Sequence, residues 1–182
     1  MRQIVPAYVL FLVVGGVLAG SASGHSLAPN IEAQHCAVQL DPVIAGEKFS
    51  RAVDLGCYVT LAEAQRAGLA SSPARSSRGL LPARRSVGSP TLSTDYANAS
   101  FSGATLTWSA SNGIGCVNGA SFSQPVTGSW NNAIRSSLRV AAAGCGSNRH
   151  YDPASASGTS IDCSCATMGG MAAKTSFEQW TP

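Results

Sequence analysis

The chain has 182 residues, 12% of them charged, with 19 glycines and a formal net charge of +3. Charged residues at about half the usual frequency, among short Thr-, Ser- and Gly-rich stretches, argue against a charged helical protein and for an all-β one. The surplus positive charge sits in Ser71–Thr94, which holds Arg75, Arg78, Arg84 and Arg85 and no acid, whereas four bases face four acids from Asp95 onward. Neither stretch forms a nucleic-acid face.

Residues 1–24 read as a signal peptide. Arg2 is its basic start, Tyr8–Ala19 its apolar core, and the small residues of Gly20–Gly24 place cleavage after Ala22 or Gly24. The rival, an uncleaved anchor, needs a longer span and a basic stop on its far side. The expected location is therefore secreted, with no membrane contact after cleavage.

Six cysteines follow: Cys36, Cys57, Cys116, Cys145, Cys163 and Cys165. An even number in an exported chain predicts disulfides. Zinc is disfavoured because no Cys-x2-Cys pair is present and His35 and His150 do not fall at ligand spacing. Local pairing joins Cys36 to Cys57 and Cys116 to Cys145. Cys163 and Cys165 would point to one face of a strand, where a direct bridge is strained, which leaves room for either to pair elsewhere.

Residues 25–70 form a small disulfide-bearing segment. Cys36, Val38 and Leu40 alternate, as do Val53, Leu55, Cys57 and Val59, so both runs read as strands. Thr60 as N-cap, Glu63 as its capping-box partner and Gly68 as a stop frame a short helix. Such a segment buries little alone; it either packs on the main domain or acts as a leader. Residues 71–94, rich in Pro, Ser and Arg without periodicity, read as a linker, either a solvated tether or a processing site at Arg84-Arg85.

From residue 95 to 182 the pattern is all β. Ala104, Leu106 and Trp108 alternate with threonines, Leu138 and Val140 flank Arg139, and Thr159, Ile161 and Cys163 alternate with Ser160 and Asp162. Gly/Asn/Ser punctuation between such runs predicts a two-sheet sandwich. One unit is written twice. In Asp95–Trp108 and again in His150–Cys163, a polar residue precedes a tyrosine and a glycine follows seven positions later: Tyr96 and Gly103, then Tyr151 and Gly158. The first copy adds Phe101, where the second has Ala156. An aromatic over a folded hairpin and a glycine in a special turn conformation account for the spacing.

Here the chain resembles the βγ-crystallin superfamily, whose Greek-key signature is two aromatics, a glycine and a later serine: Tyr96, Phe101 and Gly103 with Ser136 or Ser137, then Tyr151 and Gly158 with Ser176. "WNNAIRSSLRV" and "GMAAKTSFEQW" are similar to segments of small secreted bacterial crystallin-like proteins, a group that includes the bacterial metalloproteinase inhibitors. The resemblance covers about half the chain, 95–182. It implies two Greek-key motifs in one sandwich.

In that family an Asn/Asp-Asn/Asp-x-x-Ser/Thr-Ser loop binds calcium, because a hard cation takes oxygen ligands. The first loop reads in two registers. Asn131–Ser136 keeps both amides but puts Arg135 at a hydroxyl position; Asn132–Ser137 keeps the hydroxyls and loses an amide to Ala133. The second loop, Ala172–Phe177, keeps Ser176 and loses both acidic positions. Asn131, Asn132, Ser136 and Ser176 are thus the candidate ligands of a weak or lost calcium site, with no other cofactor expected. For Ser136 and Ser176 the competing role is structural, closing a hairpin through backbone bonds.

No catalytic set is read. His150 and Asp152 flank Tyr151 near many serines, but there is no nucleophile elbow, and a surface histidine beside a strand is the simpler reading. The expectation is a non-enzymatic, secreted structural or binding protein. Its alternatives are a proteinase inhibitor presenting Ser109–Gly119 or Ala143–Arg149 on a disulfide-braced loop, and a secreted toxin or antimicrobial factor. The partner classes considered are an extracellular protease and a cell-envelope glycan, with nucleic acid excluded.

Overall fold

The structure, a computed structural model, describes residues 34–70 and 88–182. The signal-peptide reading of 1–24 and the body of the Arg-rich linker lie outside the described residues. The described chain is mostly β, with two sheets and one α-helix.

The first sheet is five-stranded. Its strands are β1 (His35–Leu40), β2 (Ala52–Tyr58), β3 (Thr91–Asn98), β4 (Ser102–Ala110) and β6 (Ser136–Arg139), in the order β2-β1-β4-β3-β6. The second sheet holds β5 (Phe122–Pro125), β7 (Ser147–Tyr151), β8 (Ser160–Asp162) and β9 (Phe177–Thr181), in the order β5-β9-β7-β8. All pairings are antiparallel except β1 with β4, where His35–Leu40 runs parallel to Thr105–Ala110.

The small N-terminal segment is therefore built into the first sheet. Its helix α1 (Leu61–Ala70) lies over the sheet's outer face. The capping box forms: Glu63 N–H donates to Thr60 Oγ1 at 3.3 Å, and Thr60 N–H donates to Glu63 Oε2 at 3.1 Å. Gly68 is not the helix stop. It is buried inside the helix, and a Cβ there would come within 3.0 Å of Ser109 Oγ, so a small residue lets the helix lie close to β4. Residues 41–50 then reach the second sheet. Ser50 N–H donates to Ser123 O at 2.7 Å, and Phe49 packs edge-on to Phe177 with centroids 5.7 Å apart. The strand β3 begins at Thr91, inside the stretch read as linker.

Period-two alternation sorts each strand between two faces. On the first sheet Cys36, Leu40, Ala104, Leu106 and Trp108 face inward; on the second, Phe122 and Trp180 do, and all join one core. Trp108 and Trp180 meet across the gap with centroids 5.4 Å apart. The threonines of β3 and β4 (Thr94, Thr105 and Thr107) lie on the opposite face, which is also buried.

Three disulfides brace the fold. Cys36–Cys57 joins residues directly opposite on β1 and β2, and Cys116–Cys145 ties two loops together. The third joins Cys163 to Cys165 directly, so neither pairs with another cysteine. The strand ends at Asp162. The chain then turns from the second sheet, where Cys163 N–H donates to Asn148 O, to the first, where Cys165 and Ser137 exchange backbone bonds. At that corner the two Cα atoms are 5.2 Å apart, within the usual range for a bridge.

Candidate functional site: a buried acid–histidine cluster and an amide–hydroxyl loop

The two copies of the tyrosine–glycine unit take matching positions, one in each sheet. Tyr96 packs edge-on to Phe101 with centroids 5.6 Å apart, and Gly103 sits at φ 81°. Tyr151 packs edge-on to Phe177, also at 5.6 Å, and Gly158 sits at φ 79°. Phe177 from β9 thus supplies the aromatic contact that Phe101 supplies in the first copy.

The residue before each tyrosine points the opposite way, into the sandwich. Asp95 enters from β3; His150 enters from β7, paired with Glu178 on β9. All three side chains are fully buried, and one polar atom from each lies within 4.8 Å of the others. Trp108 Nε1–H donates to Asp95 Oδ2 at 2.6 Å. His150 Nδ1 stands 3.7 Å from Glu178 Oε2, too far for a hydrogen bond. Five polar atoms here have no hydrogen-bond partner: Asp95 Oδ1, both ring nitrogens of His150 and both carboxyl oxygens of Glu178.

Burial sets the charge states. It pushes the Glu178 carboxyl well above its usual range, with the neighbouring Asp95 charge adding to the effect. It pulls the His150 imidazole down, against the opposing influence of Asp95 and Asp162. Both shifts favour the neutral form of each group and so work against an ion pair between them. The sequence reading of His150 as a surface residue is thereby corrected: pairing with Glu178 turns its ring toward the core, while Asp152 is exposed.

The second constellation lies at the loops preceding β6 and β9. Each loop contains a short 3₁₀ turn, Gly128–Trp130 or Gly169–Met171, whose last residue is buried. Asn132 and Ala173 then both take positive φ, 60° and 57°. Two reciprocal backbone bonds join the loops: Asn132 N–H to Thr175 O at 2.9 Å, and Ala173 N–H to Ile134 O at 2.7 Å. This exchange aligns Asn131 with Ala172 and Arg135 with Ser176, which selects the register beginning at Asn131.

Of the four candidate ligands, three come together. Ser176 Oγ lies 2.7 Å from Asn131 Oδ1 and 3.0 Å from Asn132 Oδ1. A hydroxyl carries one proton and can satisfy only one of these oxygens. Ser136 stands apart: its Oγ donates to Asn98 O at 2.6 Å and accepts from Phe101 N–H at 3.2 Å, closing the first hairpin. The three converging oxygens suit a hard cation in kind, but none is a carboxylate, and affinity follows ligand charge.

Near the loop Ser109–Gly119, Asn112 Oδ1 accepts from the N–H groups of Ile114 and Gly115, and the Cys116–Cys145 bridge fixes one end. A surface hollow of about 510 Å³ is lined by Gln34, Cys57, Tyr58, Val59 and Glu63. It assembles no nucleophile with a base. No helix among the described residues is long and apolar enough to cross a membrane, and three disulfides point to an oxidising, extracellular environment.

Neither a family model, a curated protein nor a solved structure matches this chain.

Proposed function

We propose that the chain is an exported, non-enzymatic structural and binding protein of the βγ-crystallin type, a double Greek key with one weak calcium loop remaining. The observation that carries this reading is an exchange between halves. In the first sheet β4-β3-β6 is followed by the Ser137–Cys165 bridge from the second half; in the second, β8-β7-β9 is followed by β5 from the first half. Each half thus lends a strand or bridge to the other, which is the reason a Greek-key pair would fold as one body.

The loop at Asn131, Asn132 and Ser176 is what such a protein retains for calcium. Thermal melts of the oxidised protein in millimolar calcium and then in chelator test it, because a ligand of the native state raises the midpoint by mass action. The expected result is a small, chelator-reversible rise that disappears in Asn131→Ala. No rise in wild-type protein at that concentration removes calcium from the reading.

A second reading, an extracellular proteinase inhibitor, is favoured by one feature. The Asn112-organised loop is held by a disulfide and presents Ile114 at 44% exposure. A rigid loop lowers the ordering cost of binding. Inhibition of a secreted metallo- or serine protease that is lost on Ile114→Asp would favour it; no inhibition at micromolar protein would end it.

A further inference from the structure

A fully buried histidine with both ring nitrogens unpartnered, beside Glu178 and one free oxygen of Asp95, needs a physical account. Each buried polar atom without a partner is costly, and such atoms are uncommon in folded proteins. Five of them converge between the two sheets. They comprise Asp95 Oδ1, the His150 nitrogens and both Glu178 oxygens, and they come from three strands, β3, β7 and β9.

We propose that Asp95, His150 and Glu178 form a structural site for a first-row transition-metal dication, with zinc as its probe. The donor set is one imidazole nitrogen, one oxygen of Asp95 and the carboxylate of Glu178. Imidazole with carboxylate suits zinc and its neighbours better than calcium or magnesium, which prefer all-oxygen shells. The two carboxylates carry the charge that neutralises a dication. Two ligands of one tetrahedral zinc ion, each at about 2.1 Å, stand about 3.4 Å apart, and His150 Nδ1 and Glu178 Oε2 stand 3.7 Å apart. That spacing is too long for a hydrogen bond and suited to sharing an ion.

The surroundings match a metal site as well. Trp108 Nε1–H holds Asp95 through Oδ2 and leaves Oδ1 free to ligate, as hydrogen bonds from an outer shell orient metal-bound carboxylates. All three residues are wholly buried, Asp95 on one sheet and His150 and Glu178 on the other, so an ion held by them would join the two sheets away from bulk water. It is distinct from the Asn131–Ser176 loop, which offers oxygen alone.

The test uses the full oxidised chain, unfolded in denaturant without reductant and refolded with zinc, cobalt or chelator. After gel filtration, elemental analysis should find one zinc per chain. Cobalt-loaded protein should show the visible absorption of a low-coordinate nitrogen–oxygen site. At a hundredfold excess of zinc over Kd the melting midpoint should rise by about 5–10 °C. Glu178→Gln and His150→Asn should lose the bound zinc and the midpoint rise. Because either variant can misfold, His25→Gln with His35→Gln serves as the complementary probe: His150 is then the only histidine left. Zinc retained in that protein, with a cobalt-shifted imidazole resonance, supports the site. Wild-type protein refolding with less than a tenth of an equivalent of either metal overturns it. So does undiminished zinc in folded Glu178→Gln, or loss of zinc from folded His25→Gln/His35→Gln.

Discussion

Asp95 and His150 hold the same place in the two tyrosine–glycine units, each just before its tyrosine, and their side chains meet inside the sandwich within 4.8 Å. Tyr96 packs against Phe101 of its hairpin and Tyr151 against Phe177 of β9, so period-two alternation turns the preceding residue inward. The duplicated unit therefore places a polar residue from each sheet in the core. The energetic consequence falls on whatever satisfies them, beginning with Trp108.

Trp108→Phe should destabilise the fold by about 2–3 kcal/mol more than shape alone explains, because it strips the indole hydrogen bond from the buried Asp95 carboxylate, and bonds to charged groups exceed neutral ones. Trp180→Phe is the comparison. Its indole donates to the neutral Ser93 Oγ at 3.1 Å, a bond of about 1 kcal/mol. Urea unfolding with disulfides intact measures both. Equal losses would mean that the Asp95 contact contributes no more than the Ser93 one.

The two turn glycines separate conformational strain from collision. Both lie in the left-handed region, where alanine is disfavoured by roughly 1 kcal/mol. At Gly103 an added Cβ would also sit 2.5 Å from Asn98 Nδ2, whereas at Gly158 the nearest atom is Pro153 Cγ at 3.1 Å. Gly103→Ala should therefore cost more than Gly158→Ala, about 2–3 against about 1 kcal/mol. The reverse order in chemical denaturation would show that the Asn98 side chain simply moves away.

Loop length ranks the disulfides. Cys116 and Cys145 are 29 residues apart and Cys163 and Cys165 only two. Chain entropy assigns the first bridge about 3.5 kcal/mol and the second about 1 kcal/mol. Paired Cys→Ser variants, compared by denaturant midpoint, check the ranking. A larger loss at Cys163–Cys165 would mean that this corner holds the two sheets together by more than chain entropy.

What the sequence disclosed and what it withheld divide along the same physical line. Alternation marked the strands around Val38, Val53, Leu106 and Ile161, and the capping box at Thr60 and Glu63 was legible because it is local chemistry. The strand Phe177–Thr181 escaped, since its buried faces carry Glu178 as well as Trp180, and a charged residue in the core breaks the apolar pattern. The Cys163–Cys165 pairing stayed open because the end of β8 at Asp162 is a tertiary event. The Asn131–Ser176 approach was half visible: residue types suggested it, but only the reciprocal bonds between loops select the register. The cluster at Asp95, His150 and Glu178 was missed altogether. Its one available signal was the polar residue that opens both tyrosine units.

In metal-free protein, kept so by chelator, Glu178 should leave a defined pH signature. Its ordinary value is 4.5, and burial beside Asp95 raises it well above that in the folded chain. Between the two values the folded chain keeps a proton that the unfolded chain has released. The native state then binds more protons, and stability falls as pH rises through that window. The contribution is complete below pH 4.5 and lost as pH passes the raised value. Glu178→Gln has no proton to release there, while Asp95 and His150 are present in both proteins. The stability of wild type minus that of the variant should therefore decline as pH rises above 4.5, with a slope approaching about 1.4 kcal/mol per pH unit. Urea midpoints across pH 4 to 8 give that difference directly. A flat difference would mean that Glu178 ionises in the folded chain as readily as in the unfolded one, and that burial does not control its charge.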